Sequence, residues 1–357
     1  MLDWTASMAR TYEFYKVDPH TWGDIGLVKS ITTSSINRDV NADTLGSASF
    51  DVTDSIEEGY IRTYLTAVQN GITSKHPLGT HLVQTPSSSF DGRHKKMTLD
   101  GYTPLIELKE KKPPIGYYIP KGANALLLAY QLTRENLRAP VIKPAGTDDD
   151  TYKLIYDFIA DTDDTWFSYL KDLLSDMGFE FMLDEMGRVG FAPIQDIDAL
   201  QPIWTYNDDN SSILYPEITM NRDIYDIPNV VEVVYSKENR RLFSRVTNED
   251  KRSPVSIQNR GREIYYRVIN PEIFKDPSKT MLDTYAKNLL RQLSSVEYTV
   301  TYTHGYCPVR IGDCVRLNYS RAGMNNVKAK VISQSIGCTS ECPVSETAAF
   351  THKLWKG

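Results

Sequence analysis

Apolar and polar residues alternate with a period of two along much of this chain, which is the pattern of strands buried on one face. The first region of this kind covers residues 27–99, and the second covers residues 213–354. Turn signals such as Asn70-Gly71 separate the short runs. Strands of this length and spacing are typical of small barrels and sandwiches, so the pattern predicts a β-rich protein.

Apolar residues three and four positions apart replace this alternation between the two regions, and that spacing predicts helices. Two helices are predicted over residues 105–111 and 124–136. A third begins after Asp163 or Asp164, because acidic side chains cap helix N-termini, and ends at Gly178. Two apolar runs around a glycine turn follow it and predict a β-hairpin.

The second strand-rich region contains one helix of its own. Asp276 is the predicted N-cap and Pro277 the first helical residue, because proline suits the first turn of a helix. The apolar face predicted for this helix consists of Met281, Leu282, Tyr285, Leu289, Leu290 and Leu293.

The order of these elements predicts a fold of the α+β class that is mainly β, with an α/β insert between two β-barrel domains. The chain has 357 residues, which is enough for several domains to bury cores of their own. The expected parts are an N-terminal arm over residues 1–22, a first barrel over 23–112, a mixed helix and hairpin domain over 113–204, and a second barrel over 205–357 with its helix at 277–295.

The charge balance narrows the possible functions. Forty Lys and Arg against 46 Asp and Glu give a net charge of −6, which argues against a protein that wraps nucleic acid with a basic surface. The N-terminus lacks the apolar core of a secretory signal. The longest helical apolar run, residues 125–130, is far shorter than the ~20 residues of a membrane span. We therefore expect the protein to be made in a cytoplasm and to stay there, unless it leaves the cell as part of a larger assembly.

The sequence carries none of the short motifs that mark common enzyme sites. A nucleophile elbow, a phosphate-binding glycine loop, a zinc-protease helix and a dinucleotide-binding fingerprint are all absent. The six histidines, at positions 20, 76, 81, 94, 304 and 352, are scattered, and nothing in their spacing makes them converge. We therefore predict no catalytic residues, no cofactor and no enzymatic activity.

All four cysteines lie near the C-terminal end of the sequence. A tetrahedral metal site is one interpretation, if the turns that they flank come together. Its candidate ligands are His304, Cys307, Cys314, Cys338 and Cys342. The Cys-x-x-Cys pair of a zinc knuckle is absent, so buried free thiols are the favoured interpretation and no metal is predicted.

One short turn in the second strand-rich region has a clear physical logic. In the run Ile311-Gly312-Asp313-Cys314-Val315, glycine allows the positive φ that a Cβ disfavours, and the aspartate can hydrogen-bond the backbone of the turn that it opens. A helix and a strand precede this turn, and a return strand follows it.

In this order of pieces the chain resembles the hub proteins of bacteriophage tails and baseplates, whose second tube-type barrel repeats a helix, a strand, a hydrophobic-Gly-Asp-x-Val turn and a return strand. The matching turn residues are Ile311, Gly312, Asp313 and Val315, whereas the cysteines around the turn depart from what the family requires. The first strand-rich region is similar to the family's first tube-type barrel over residues 46–52, 61–65, 77–83 and 99–105.

The resemblance implies how such a protein works. Family hubs are homotrimers in which each chain contributes two similar barrels, so three chains present a pseudo-sixfold ring to the tail tube. It also implies a tail tube or tape-measure protein on one side, a separate central spike protein on the other, and a lumen that DNA passes without specific binding. The implied location is the virion, in the tail baseplate or tail tip, after assembly in the host cytoplasm.

Two other functions are compatible with a β-rich, aromatic-rich chain. A glycan-binding tail module for the host surface would show saturable sugar binding. A cell-wall hydrolase would need an acid and a base that converge in the folded protein. Both stay open as alternatives to the structural hub.

Overall fold

The computed structural model describes residues 2–90, 92, 95–147, 150–210, 212–222, 224–237, 240–271 and 277–355. Strands account for 46% of the described residues and helices for 17%, which confirms the predicted mainly β class. The chain divides into two compact units. The first comprises Met1–Glu217 and Tyr302–Thr347, and the second comprises Ile218–Thr301 and Ala348–Gly357.

The elements follow three stretches of the sequence. The N-terminal strands are β1 (Ala9–Val17), β2 (Asp24–Leu27), β3 (Ile31–Asp39), β4 (Gly46–Val52), β5 (Gly59–Gln69), β6 (Ile72–Phe90) and β7 (Lys95–Tyr102). The middle stretch holds α1 (Ile106–Glu110), β8 (Tyr118–Ile119), α2 (Ala125–Asn136), β9 (Phe158–Ile159), α3 (Trp166–Asp176), β10 (Phe179–Leu183) and β11 (Val189–Pro193). The C-terminal stretch holds β12 (Trp204–Asn207), β13 (Leu214–Arg222), β14 (Val230–Lys237), β15 (Arg240–Thr247), α4 (Ile257–Arg260), β16 (Tyr265–Ile269), α5 (Lys279–Leu293), β17 (Ser295–Gly305), β18 (Cys314–Tyr319), β19 (Met324–Gly337) and β20 (Pro343–Lys353).

One sheet contains strands from both ends of the sequence. Its order is β13-β17-β20-β19-β3-β4-β7-β6-β5-β1-β2, and β18 pairs with β19 and with β12. The two sets of strands meet at the antiparallel β3–β19 pair, where Asp39 lies opposite Ser333 and Ser35 opposite Gly337. Along the described residues this path is open, so two closed barrels stay a prediction.

The N-terminal strands and the last strands of the first unit share a hydrophobic core. The buried members from the N-terminal strands include Phe14, Ile36, Phe50, Leu65 and Leu99, and those from the C-terminal stretch are Tyr306, Ile336, Cys338, Cys342 and Val344. Because the two sets pack into one cluster, residues from the two ends of the sequence stabilise each other.

The helices and the hairpin of the middle stretch have a core of their own. Its buried members include Leu108 on α1, Leu126 and Ala129 on α2, Leu170 and Leu174 on α3, and Phe181 and Phe191 on the hairpin. The rings of Phe167 and Phe181 are stacked 5.4 Å apart between α3 and β10. This stretch therefore has the mixed helical and hairpin character that its periodicity predicts, while the four domain bounds stay predictions.

The N-cap of α3 differs from the predicted Asp163 or Asp164. Thr165 caps the helix: its hydroxyl accepts from the backbone N–H of Ser168, and the Ser168 hydroxyl accepts from that of Thr165. This reciprocal capping box satisfies two N–H groups at once, which one aspartate does not. The predicted end is confirmed, since Gly178 has a φ of +74° directly after the last turn.

The second unit contains a three-stranded sheet with a helix on one face. Strand β14 lies between β15, to which it is antiparallel, and β16, to which it is parallel. The buried side chains that pack between the sheet and α5 are Val231, Val233, Tyr235, Leu282, Ala286 and Leu290.

Helix α5 begins later than predicted. The predicted N-cap Asp276 lies outside the described residues, and the N-cap is Ser278, whose hydroxyl accepts from the backbone N–H of Met281. Pro277 therefore precedes the helix instead of opening it. Met281 was expected on the apolar face but is 50% exposed, because the buried stripe starts at the next residue, Leu282.

Candidate functional site

The Gly312-Asp313 turn is closed by its own side chain and anchored on β19. Gly312 has a φ of +87°, a conformation that L side chains adopt only with strain. The Asp313 carboxylate accepts a hydrogen bond of 2.8 Å from the backbone N–H of Arg310. Val331 holds both turn residues, accepting from the N–H of Gly312 at 2.8 Å and donating to the carbonyl of Asp313 at 2.9 Å. Burial raises the pKa of Asp313, in keeping with its position under the turn.

Three of the four predicted motif residues line a cavity of about 430 Å³. Ile311, Gly312 and Asp313 share its lining with side chains of α3, β10 and β11 and of the loop after β3. Two further lining residues, Lys330 and Glu180, form an ion pair with 3.1 Å between Nζ and Oε1. The turn therefore faces the middle stretch of the chain.

The fourth motif residue lies elsewhere. Val315 is fully buried in β18, opposite Trp204 of the parallel strand β12. Its role is to pack the strand that the turn starts.

A buried cluster of polar side chains joins four strands of the first unit. Its centre is Glu346 on β20, which is inaccessible to solvent. Carboxylate atom Oε1 accepts hydrogen bonds from the hydroxyls of Tyr302 and, at 3.3 Å, of Tyr206. Atom Oε2 accepts from Nε2 of Gln334 at 2.7 Å and lies 3.4 Å from Nε2 of His304. Both oxygens are therefore paired, as a carboxylate removed from water requires.

His304 supplies the positive charge of this cluster. Burial by itself lowers the pKa of His304, but hydrogen bonds to Cys307 and Glu346, together with the charge of Glu346, raise it to about 10. The imidazolium then donates from Nε2 towards Glu346 and from Nδ1 to the carbonyl of Gly305, 2.7 Å away. None of the cluster side chains lines the 430 Å³ cavity. Buried in this way, the cluster positions strands and offers no surface to a substrate.

A chain of polar contacts leads from this cluster to the N-terminal strands and to the hairpin. Oε1 of Gln334 accepts a hydrogen bond of 3.0 Å from Nη1 of Arg38 on β3. Arg38 lies 3.5 Å from the carboxylate of Glu185, in the turn between β10 and β11. Arg310, which precedes the Gly312-Asp313 turn, contacts the same carboxylate at 2.9 Å. Glu185 thus forms ion pairs with two arginines that come from distant parts of the sequence.

The hairpin turn is also held by backbone contacts. The carbonyl of Met186 accepts hydrogen bonds from Nε1 of Trp22 at 2.7 Å and from Nη2 of Arg62 at 3.0 Å. Gly187 follows with a φ of +74°, and a Cβ at this position would lie 2.8 Å from the side chain of Thr80 and 3.1 Å from that of Trp22. Only glycine fits between the hairpin and the N-terminal strands.

The cysteines do not gather into one site. All four are free and buried. Cys307 lies 3.9 Å from Nδ1 of His304, Cys338 and Cys342 belong to the shared hydrophobic core, and Cys314 is buried at the start of β18. In the part of the chain that the structure describes, no group of three or more His, Cys, Asp and Glu side chains is arranged to hold a metal ion.

No sequence motif marks the Glu346 cluster, although β17 carries one signal for it. Buried and less buried residues alternate along β17, and the buried positions are Val296, Tyr298, Val300, Tyr302 and His304. A histidine in the inward register of an apolar strand needs a buried partner, and that requirement points to an acidic residue on a neighbouring strand.

No helix within the described residues has both the length and the hydrophobicity needed to cross a membrane.

Similarity to known proteins is found in the structure and not in the sequence. No protein-family model matches the sequence, and no curated protein does. Among solved structures, the tail protein from Neisseria meningitidis MC58 aligns over 96% of both chains, with a TM-score of 0.62 and 12% identity. The 43 kDa tail protein of prophage MuSo2 from Shewanella oneidensis aligns over 95% of this chain and 98% of its own, with a TM-score of 0.59 and 11% identity. Over at least 95% of its length, the chain therefore has the fold of phage tail proteins, as its sequence resemblance predicted.

Proposed function

We propose that this protein is a non-enzymatic structural subunit of a bacteriophage tail, a hub at the baseplate or tail tip. The observation that carries the proposal is the fold shared with a tail protein over 96% of both chains. An alignment of this extent includes the β-strands, the middle helices and the second unit, so it is not a match to one common motif.

The hub assembles as a homotrimer that presents a pseudo-sixfold ring. Pairing of β3 with β19 supports this arrangement, because it places the N-terminal and C-terminal sets of strands side by side in one sheet. Three copies would supply six such sets. Strand β2, at one end of the sheet, carries the exposed side chains of Ile25 and Leu27, and an end strand of this kind is suited to pairing with a neighbouring copy.

The ring joins the tail tube or a tape-measure protein to a separate central spike protein, and DNA passes its lumen without specific binding. The net charge of the first unit supports passage of DNA without binding. It contains 24 Lys and Arg against 35 Asp and Glu, a net charge of −11. Like charge keeps a phosphate backbone from adhering to such a surface.

The proposed absence of catalysis is supported by the positions of the titratable groups. The densest cluster described above, around Glu346, is fully buried and satisfied by its own partners. A hydrolase would instead present an acid and a base towards a cleft.

The direct test is the mass of the particle in solution. Mass photometry and sedimentation equilibrium at micromolar concentration should give a species of three chains, and two-dimensional class averages should show a ring with a central pore. A stable seam of this kind buries roughly 1,600 Å² in total. A chain that stays monomeric with and without its spike and tube partners contradicts the proposal, as does saturable binding of a host glycan or lysis of peptidoglycan in a zymogram.

A further inference from the structure

The sheet of the second unit has one face covered by α5 and a second face that is open. The register places Phe243 and Ile269 on either side of Val234, with all three side chains on the face opposite α5. Tyr265 lies on the same face, opposite Val230. We define the open face by the exposed side chains of Arg241, Phe243, Arg245, Tyr265, Arg267 and Ile269.

Three large apolar side chains on this face are accessible to solvent. Phe243 is 50% exposed, Tyr265 is 49% exposed and Ile269 is 65% exposed. Phe243 and Ile269 form an apolar patch around Val234, because directly opposed side chains of neighbouring strands are within reach of one another. Tyr265 lies four positions away along the same face, beyond the row of Arg245, Glu232 and Arg267. Exposed aromatic and aliphatic side chains grouped in this way mark an interaction surface.

Arginines lie on both sides of the Phe243 and Ile269 pair along the strands. Arg267 donates to the carboxylate of Glu232 at 2.9 Å through Nε, and Arg245 lies 3.8 Å from the other oxygen of Glu232. Arg245 also pairs with Glu263 at 2.8 Å and lies over the ring of Tyr265. Arg241 extends the face at its end, and arginine and tyrosine are the residues most enriched in the centres of protein interfaces.

The two units carry opposite net charges. The second unit contains 16 Lys and Arg against 11 Asp and Glu, a net charge of +5, while the first unit has a net charge of −11. The open face has three arginines against the two carboxylates of Glu232 and Glu263, so two copies that met through it would bring positive net charge against positive net charge, which is unfavourable. A contact between the open face of one copy and an acidic surface of the next is favourable, and contacts of this unlike kind form a ring when the rotation between neighbouring copies closes.

We infer that the open face is part of the seam between copies of this chain, where it binds an acidic surface on the first unit of the neighbouring copy. This inference rests on the proposed ring. Three strands about 4.8 Å apart and five residues long cover roughly 240 Å². A stable seam needs about 800 Å² from each partner, so the open face supplies about a third of it. Altering the open face should therefore weaken the ring without abolishing it.

The test uses the full chain with the double substitution R241E/F243S, which reverses one charge and removes one exposed ring from β15. The expected result is a rise of 10- to 100-fold in the trimer dissociation constant by sedimentation equilibrium. R252E is the matched control, because Arg252 belongs to the same unit but its side chain is 91% exposed in a loop outside this face. It should change the constant less than threefold.

Salt provides a second measurement. Raising NaCl from 50 to 300 mM should weaken the wild-type trimer and have less effect on R241E/F243S, because part of the attraction is lost in that variant. Circular dichroism and thermal unfolding show whether the variants are folded. If the wild type forms a trimer and R241E/F243S has the same trimer dissociation constant as R252E, the inference about the open face is wrong, while the proposed ring stands. A wild-type chain that never trimerises would overturn both.

Discussion

Nη1 of Arg38 donates a hydrogen bond of 3.0 Å to Oε1 of Gln334, a residue 296 positions later in the sequence. Gln334 in turn donates to Glu346 at 2.7 Å and to the carbonyl of Val309 at 3.0 Å. One buried amide therefore links a charged group on each side of the β3–β19 junction. Since both of its ends are used, it cannot be replaced by a side chain that only donates or only accepts.

Replacing Gln334 with leucine should destabilise the first unit. The substitution preserves the approximate volume but leaves the carboxylate of Glu346 and the guanidinium of Arg38 each short of a buried partner. We expect the free energy of unfolding to fall by about 2 to 4 kcal/mol, measured by urea denaturation. Gln201→Leu, at an exposed position, is the control and should stay within about 0.5 kcal/mol. Equal effects of the two substitutions would show that the buried amide contributes nothing.

Adding one methyl group at Gly187 should be far more harmful than adding one at Gly178. Both glycines have a φ of +74°, so alanine introduces the same backbone strain of about 1 kcal/mol at each. Only at Gly187 does the new Cβ meet other atoms, 2.8 Å away on Thr80, whereas nothing lies within 4 Å at Gly178. We expect Gly187→Ala to cost at least about 2 kcal/mol more than Gly178→Ala in chemical denaturation. A difference near zero would mean that the hairpin turn moves away from β6 without cost.

The stability of the protein should depend on pH through His304. The folded-state pKa of His304, about 10, lies above its ordinary value of 6.5, so the folded protein keeps a proton that the unfolded chain releases. The stabilisation is complete below pH 6.5 and is lost as the pH rises towards 10. Between pH 7 and 8.5 the free energy of unfolding should fall by up to about 1.4 kcal/mol per pH unit from this group.

The His304→Gln variant isolates this effect. Between pH 7 and 8.5 its free energy of unfolding should fall less steeply with pH than that of the wild type, because the contribution of His304 is missing. His20→Gln changes an exposed histidine and should keep the wild-type slope. Parallel slopes in the wild type and His304→Gln would show that His304 is neutral in the folded state.

The thiols should be unreactive in the folded protein. Burial raises the pKa of Cys338 to about 12 and also raises that of Cys342, so almost no thiolate is present at pH 8. We expect a thiol-reactive disulfide reagent to label these two residues only after unfolding in guanidinium, with four thiols per chain in the end. Stoichiometric zinc in the purified protein, lost together with a drop in Tm on chelation, would contradict the free-thiol interpretation and support a metal site.

Local features of the fold could be predicted from the sequence because their causes are local. The apolar stripe of α3, its end at Gly178 and the β10–β11 hairpin each depend on residues a few positions apart. The N-cap of α3 is harder to predict from the sequence, because Asp163, Asp164 and Thr165 are all good capping residues. Only the reciprocal contact with Ser168 selects Thr165. Neighbouring residues differ little in how well they cap a helix, so one contact decides which of them does so. The position of the whole helix depends on many residues and is therefore easier to predict.

The polar cluster and the contacts of the hairpin turn could not be predicted in the same way. Tyr206 and Glu346 are 140 residues apart, and they meet only because β12, β18, β19 and β20 are paired in one sheet. The same holds for Trp22 and Met186, which are 164 residues apart. Periodicity indicates that a side chain points inward, but the register of distant strands decides what it meets there.

The pairing of β3 with β19 has a consequence for biosynthesis. About 285 residues separate the end of β3 at Asp39 from the start of β19 at Met324. At a translation rate of about 5 to 20 residues per second, the ribosome needs roughly 15 to 60 s to supply the second strand after the first. During that time β3 has one edge without its partner, and an edge of this kind readily captures strands of other nascent chains. A low rate of initiation, which keeps few nascent chains near one another, together with a holding chaperone that covers the edge, is therefore the condition in which we expect the largest yield of correctly folded chain.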